Sequence, residues 1–160
     1  SRELVSTLAL SDEFTLFCMY VIRGWEDGND QMFRLAKQVH GWGRIFLVHE
    51  LEATTPEIRR WLLMEGWNNH ILSAYSACHC AQRGGLGALL AQEALTPEEF
   101  AAASGLVAAL LDEGPVRNIS AMEDGKALLE AYLLHAGKMP QTEEERQTVE
   151  AVQRHVTAES

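Results

Sequence analysis

Apolar residues recur along this chain at intervals of three and four, the period of helices that bury one face. Phe100, Ala103 and Val107 show this spacing in one segment, and Val149 and Val152 show it in another. No long segment alternates between apolar and polar residues, and no Asn-Gly hairpin signal separates two such segments. The pattern predicts an all-α fold of about eight helices.

One apolar segment leaves two interpretations open. The apolar residues that follow Ser11 fall on one side of a helix, namely Phe14, Phe17, Cys18, Val21 and Trp25. Ser11-Asp12-Glu13 is a helix-start signal, so the pattern favours an amphipathic helix. Because the segment is rich in aromatic and β-branched residues, a buried strand is the alternative.

Helix-start signals recur at a nearly regular interval. The tripeptide Thr-Pro-Glu begins at Thr55 and again at Thr96, 41 residues later (96 minus 55). Thr suits the N-cap, Pro the first helical position, and an acidic residue the first turn. Glu99 completes a capping box with Thr96, and the same spacing predicts capping boxes at Ser120 and Thr142.

Glycines predict where the helices end. Gly41-Trp42-Gly43 is expected to end a short helix that Asn29-Asp30 begins, and Gly84-Gly85 to break a later helix. Gly114-Pro115 ends the helix that starts at Thr96, and Gly137 ends the helix that starts at Ser120.

Paired amphipathic helices, short turns and a start signal that returns about every forty residues resemble HEAT and armadillo α-solenoids. Pro56 and Pro97 match the proline found early in HEAT repeats, and residues 41–80 also resemble bacterial helical-repeat proteins of unknown function. The resemblance implies a right-handed superhelix of antiparallel helix pairs, in one domain over residues 1–160. A compact irregular helical bundle is the alternative.

The two ends of the chain differ in a way that matters for a repeat fold, whose terminal repeats need polar outer faces. The last predicted helix, from Thr142, places polar residues between its valines and is typical of such a cap. Leu4 and Leu8 belong to an apolar start that nothing caps. We predict that they pack on another copy of the chain, or on preceding repeats of a longer protein of which this is the C-terminal part.

The charge makes nucleic acid an unfavourable partner. The chain carries 13 basic and 23 acidic residues, a net charge of −10, and Arg59-Arg60 is its longest basic cluster. A polyanion needs a basic face that releases counterions, which such a chain lacks. The acidic residues are interpreted as a solvated surface, with a docking face for a basic protein or peptide as the alternative.

The sequence predicts a soluble protein of the cytoplasm. Its longest nearly apolar run, over residues 14–22, is too short to span a bilayer, and no secretory signal marks the start. Cys18, Cys78 and Cys80 are an odd number without the spacing of a disulfide framework, which is typical of a reducing compartment.

No motif predicts a metal, a cofactor or a catalytic residue. Cys78-His79-Cys80 is the densest group of metal-ligand types, but consecutive helical residues point about 100° apart and cannot face one ion. The glycines of Gly84-Gly85-Leu86-Gly87 form only half of a dinucleotide fingerprint. His49 and His135 are interpreted as structural or surface residues.

A cluster of residue types that anchor protein contacts falls between residues 41 and 70. Trp42 and Trp67 each follow a glycine at a predicted helix boundary. Arg44 lies two residues after Trp42, and Asn68, Asn69 and His70 follow Trp67. The predicted recognition patch consists of Trp42, Arg44, Trp67, Asn68 and His70. The alternative is that both tryptophans fill the core between helix pairs.

The function predicted from these observations is a non-catalytic interaction or scaffold module that binds a protein or peptide. The alternative is an enzyme or small-ligand protein with a pocket between helices. A closed pocket in which at least two polar groups converge, with shifted pKa values, would favour that alternative.

Overall fold

The computed structural model describes residues 1–69, 73–112 and 118–158, apart from the side chains of residues 12 and 13. These residues form ten α-helices and no strand, which confirms the all-α prediction. The helices are α1 (Arg2–Leu8), α2 (Asp12–Ile22), α3 (Gly28–Ala36), α4 (Gly41–Glu50), α5 (Pro56–Trp61), α6 (Ala74–Gly84), α7 (Leu86–Leu90), α8 (Pro97–Leu110), α9 (Gly125–Ala136) and α10 (Glu143–Ala158). A π-helical segment, Leu62–Gly66, continues α5, and a 3₁₀ turn, Ile119–Ala121, precedes α9.

The helix count exceeds the predicted eight because α1 and α7 were not anticipated. Each is short, seven and five residues. The Ser1 hydroxyl caps α1 by accepting the Leu4 N–H at 3.3 Å, whereas α7 begins after Gly85 without a side-chain cap. Helices of this length are marginal on their own, so tertiary packing rather than local signals decides that they form.

The even-numbered helices follow one another in space as well as in sequence. α2 packs on α4, α4 on α6, α6 on α8 and α8 on α10, so that α2 and α10 stand at the two ends of this row. α1 packs on α2, α3 on α4, α5 on α6 and α9 on α10. One hydrophobic core runs through the row and includes buried residues from Ala9 to Val152.

Three of the predicted helix starts are confirmed. The Thr55 hydroxyl accepts a hydrogen bond from the Ile58 N–H, 3.2 Å. Thr96 and Glu99 form a complete capping box, with reciprocal distances of 3.1 and 2.9 Å. The same bonds join Thr142 and Glu145, at 3.2 and 2.8 Å.

The start predicted at Ser120 is wrong, and α9 begins five residues later. The Asn118 side chain accepts the Ser120 N–H at 3.0 Å and holds this segment in the 3₁₀ turn. Asp124 then takes the N-cap position and Gly125 the first helical position.

Gly41-Trp42-Gly43 begins α4 rather than ending α3, which closes at Ala36. Asn29 lies inside the first turn of α3 instead of capping it. Its amide pairs with the backbone of Glu52, at 2.8 and 2.9 Å, and so ties α3 to the segment after α4. Gly85 ends α6 in the left-handed region, φ 81°, as predicted, while Gly114-Pro115 lies outside the described residues.

Two helices begin with the same Glu-Asp-Gly sequence. Gly28 starts α3 after Glu26-Asp27, and Gly125 starts α9 after Glu123-Asp124. In each case the aspartate is the N-cap residue and the glycine backbone presses against a carbonyl six residues earlier. The chain therefore uses one turn twice, 97 residues apart (125 minus 28).

The segment after Ser11 is a helix, α2, so the strand alternative is wrong. Its buried face, however, is not the predicted set of apolar residues. Cys18 lies on the core side, whereas Phe14, Phe17 and Val21 are exposed. The core side of α2 is completed by Thr15, Met19 and Ile22.

The Glu99 carboxylate should make stability depend on pH. The Thr96 N–H donates to it at 2.9 Å, and Arg60 lies 3.2 Å away; these contacts, the backbone bond foremost, lower the pKa of Glu99. A lowered pKa in the folded state contributes stability above the unfolded pKa, and this contribution is lost as pH falls through the folded pKa. We expect Glu99→Ala to cost about 1 kcal/mol near neutral pH and much less at about pH 3.

Urea unfolding of the two proteins at both pH values measures this difference. Glu98→Ala, at an exposed site in the same turn, is the matched control and should cost less than Glu99→Ala near neutral pH. An equal cost of Glu99→Ala at both pH values would show that the ionised carboxylate does not stabilise the fold.

Candidate functional site

Of the predicted recognition patch, Trp42 presents an aromatic ring to solvent. It lies in the first turn of α4 with 43% of its surface exposed. Its ring stacks on Phe46, with centroids 6.2 Å apart, and lies 5.2 Å from the ring of Tyr75 in α6. Trp42 is thus an exposed aromatic residue held in place by two others.

Trp67 fills space between helices instead. Its Nε1–H donates to the Leu63 carbonyl at 2.8 Å, and its ring covers Gly105 of α8 so closely that a Cβ there would lie 2.3 Å from it. The ring is half-buried. Trp42 and Trp67 therefore lie against different helices, and Trp67 matches the core-filling alternative.

Arg44 is buried, which corrects its assignment to a recognition patch. Only 4% of its surface is exposed. Its guanidinium donates to four carbonyl oxygens at 2.9–3.5 Å, those of Ala36, Lys37, Val39 and Asn68. Burial lowers the pKa of Arg44, and the nearby Glu65 acts in the opposite direction. Arg44 joins the end of α3 to the chain after the π-helical segment and offers no group to a partner.

The remaining members of the patch supply little surface. Asn68 is half-buried, and its carbonyl is one of the oxygens that Arg44 binds. His70 lies outside the described residues. The structure thus brings Arg44 and Asn68 together, but their hydrogen bond joins two parts of the fold and does not form a binding surface.

A cavity of about 620 Å³ between α8 and α10 bears on the enzyme alternative. The buried polar residues in its wall, Ser104, Glu145 and Thr148, have partners in the fold, whereas Glu144 and Gln147 are exposed. The Ser104 hydroxyl lies 2.7 Å from that of Tyr132, and a Glu145 carboxylate oxygen accepts the Thr142 N–H at 2.8 Å. The cavity therefore has apolar walls and buried polar groups that serve the packing of α8, α9 and α10.

Among the groups with shifted pKa values, Tyr132 borders that cavity through its contact with Ser104. Cys18, Asp27 and Cys80 lie in other parts of the fold. Burial raises the pKa of Cys18 in α2 and of Tyr132 in α9. Hydrogen bonds, chiefly from Gln31, lower the pKa of Asp27 before α3. Burial also raises the pKa of Cys80 in α6 far above its ordinary value, which makes that thiol unreactive.

The histidine and cysteine residues in α4, α6 and α9 serve the packing. His49 and His79 stack with centroids 4.8 Å apart, and His135 lies with its Nε2 2.8 Å from the Leu90 carbonyl. Cys78 and Cys80 are buried. Across residues 1–69, 73–112 and 118–158, no three His, Cys, Asp or Glu side chains are placed to hold a metal ion.

The first two helices carry an apolar surface that the predicted patch does not include. Nine large hydrophobic side chains are exposed in the described parts of the chain, and seven of them lie within residues 4–21. We call these seven the α1–α2 surface: Leu4, Leu8, Leu10, Phe14, Phe17, Tyr20 and Val21. Phe14, Phe17 and Val21 follow one another at spacings of three and four, so they share one side of α2.

The opposite end of the helix row is polar. α10 exposes charged and amide side chains, including Glu143, Glu144, Arg146, Gln147 and Glu150. A terminal helix with this surface needs no neighbour to cover it. The row therefore ends in a polar helix on one side and an apolar one on the other.

No known protein family, no curated protein and no solved structure matches this chain. Within the described residues, no helix is both long enough and apolar enough to cross a membrane.

Proposed function

We propose that this chain is a non-catalytic helical module that binds another protein through its α1–α2 surface. The observation that carries the proposal is the concentration of seven exposed large hydrophobic side chains in α1, α2 and the turn between them. The largest apolar patch of a typical monomer covers about 300–600 Å², and such a patch is often a binding site.

The repeat architecture forms part of the same proposal. The 41-residue recurrence of the helix start and the packing of α2, α4, α6, α8 and α10 in sequence order both favour a HEAT- or armadillo-like stack of antiparallel helix pairs. The terminal helices of such a stack are where an uncovered apolar face arises. Three buried free cysteines and the absence of a disulfide spacing favour the cytoplasm as its compartment.

Trp42 remains in the proposal as an exposed aromatic residue outside the α1–α2 surface, since its ring contacts Phe46 and Tyr75 and still reaches solvent. The enzyme alternative gains no support from the cavity between α8 and α10, whose buried polar groups are engaged in the fold. A protein partner is favoured over nucleic acid because the chain carries a net charge of −10.

Phe17→Glu tests the proposal. Phe17 is 68% exposed, so its replacement should change the free energy of unfolding by no more than about 0.5 kcal/mol. Leu134→Glu is the matched control, because Leu134 is 70% exposed in α9 and lies outside the α1–α2 surface. Both variants and the original chain are immobilised, and every bound protein, including the chain itself, is quantified by mass spectrometry.

We expect to find a protein that binds both the original chain and Leu134→Glu. The amount of this protein bound to Phe17→Glu should be lower by about thirtyfold, which is the effect of removing a central aromatic contact. Trp42→Ala, measured in the same way, tests whether Trp42 contributes to the binding of this protein. If no captured protein depends on Phe17, the α1–α2 surface is not a binding surface.

A further inference from the structure

We infer that the occupant of the α1–α2 surface is a second copy of this chain, with α2 packed antiparallel on α2 of the partner subunit about a twofold axis beside Phe17. The inference rests on the proposed function and names its partner. Two properties of the surface, its area and its charge, together with the spacing of its residues, support this choice.

The area is sufficient for a stable dimer. The seven side chains are 40–68% exposed. With 150–250 Å² for a whole aromatic side chain, and somewhat less for an aliphatic one, they leave on the order of 600 Å² of apolar surface uncovered. A standard interface buries about 800 Å² on each partner. The apolar surface and a rim of neighbouring polar residues together reach that size.

The charge favours a neutral partner surface. The seven side chains of the α1–α2 surface are uncharged, and residues 4–22 contain only two charged residues, Asp12 and Glu13, whereas the whole chain carries a net charge of −10. Two copies that met through their acidic α10 ends would repel each other, but they can meet through the α1–α2 surface without placing those charges together.

Other occupants are less favoured on the same grounds. The basic side chains beside the surface are already paired, Arg2 with Asp27 and Arg23 with Glu50. They are therefore not free to attract an anionic partner or an anionic membrane.

The spacing of the exposed residues on α2 is self-complementary. Phe14 and Val21 lie at equal distances from a point between Phe17 and Cys18, because 14 and 21 are each 3.5 positions from it. A twofold axis at that point places Phe14 opposite Val21 of the partner subunit, a large side chain against a small one. The two Phe17 rings then lie side by side at the axis, as an isologous interface requires.

The first experiment measures the mass of the 160-residue chain in solution by light scattering and by sedimentation. We expect a dimer at about 10 μM. Phe17→Glu places two carboxylates at the axis and should weaken the dimer at least about a hundredfold, to a monomer at this concentration. Leu134→Glu should remain a dimer.

The second experiment tests the antiparallel arrangement by oxidation to a disulfide. In the double variant Phe14→Cys, Val21→Cys, each new thiol faces its counterpart on the partner subunit, so a covalent dimer should form rapidly. The single variants should cross-link slowly, since equivalent positions lie about 10 Å apart along the helix, beyond the reach of a disulfide. Leu134→Cys measures random collision, and the native thiols are buried.

Three results would overturn the inference: a monomer at about 100 μM, a dimer that Phe17→Glu leaves intact, or faster cross-linking in the single variants than in the double one. These three results do not by themselves decide whether the chain is a binding module. A monomer that still captures a different protein in a Phe17-dependent way would refute the dimer and leave the binding module standing, whereas a monomer without any such partner would refute both.

Discussion

Replacing Arg44 with methionine is expected to lower the free energy of unfolding by at least about 3 kcal/mol. The methionine keeps much of the buried volume but removes every donor. Four carbonyl oxygens then lose their partner, and those of Ala36 and Val39 are buried, where water cannot replace it. Unsatisfied carbonyls at a helix end cost most when they are buried, because the last turn has no internal partner for them.

Arg44→Lys should recover little of this loss. The guanidinium reaches Val39 and Asn68 from different nitrogen atoms of one planar group, at 2.9 Å each. A lysine ammonium is a single point with a shorter reach and cannot serve both sides. Arg60→Met is the control for removing an arginine, since Arg60 is exposed and its ion pair with Glu99 should be worth about 1 kcal/mol or less.

Chemical unfolding followed by circular dichroism gives these differences. A cost of Arg44→Met near 1 kcal/mol, the same as for Arg60→Met, would mean that the four hydrogen bonds contribute no more than a surface ion pair.

Arg44→Met also distinguishes a role of Arg44 in stability from a role in binding a partner. At a temperature where the variant is folded, it should capture the same proteins as the original chain, because Arg44 does not reach the surface.

The helix starts could be predicted from sequence where the cap is local. Thr55, Thr96 and Thr142 bind backbone groups within three residues, so their spacing in the sequence already contains the interaction. Ser120 has the same spacing but fails, because Asn118 binds its N–H first and the chain turns at Glu123-Asp124-Gly125 before α9 begins. A local pattern is reliable only when no nearby side chain competes for the same group.

The candidate surface could be predicted only in part. Residues 14–22 are apolar on all sides, so the spacing of apolar residues could not tell which side of α2 faces the core. The contacts of α2 with α4 decide that Cys18 is buried and Phe17 is exposed. Arg44 was misassigned for a related reason, since its carbonyl partners come from segments as far as 24 residues away, brought together by packing.

The glycines of the two Glu-Asp-Gly turns should tolerate no side chain. A Cβ on Gly28 would lie 2.5 Å from the Ile22 carbonyl oxygen, and a Cβ on Gly125 would lie 2.6 Å from that of Ile119. We expect Gly28→Ala and Gly125→Ala each to cost about 2–3 kcal/mol, because a backbone oxygen cannot move aside without opening the turn. This loss should exceed the gain of up to about 1 kcal/mol that alanine normally brings to a helix.

Thermal and urea unfolding of the two variants tests whether both turns work in the same way. Gly137→Ala is the control, since its Cβ would meet its nearest atoms at 3.7 Å, an ordinary contact. It should be neutral or stabilise the protein by about 0.4–1 kcal/mol, because alanine restricts the unfolded chain. If Gly125→Ala behaved like Gly137→Ala while Gly28→Ala did not, the two turns would share a sequence without sharing a packing requirement. Equal losses of stability in Gly28→Ala and Gly125→Ala would instead show that α3 and α9 both begin at a position that has room only for glycine.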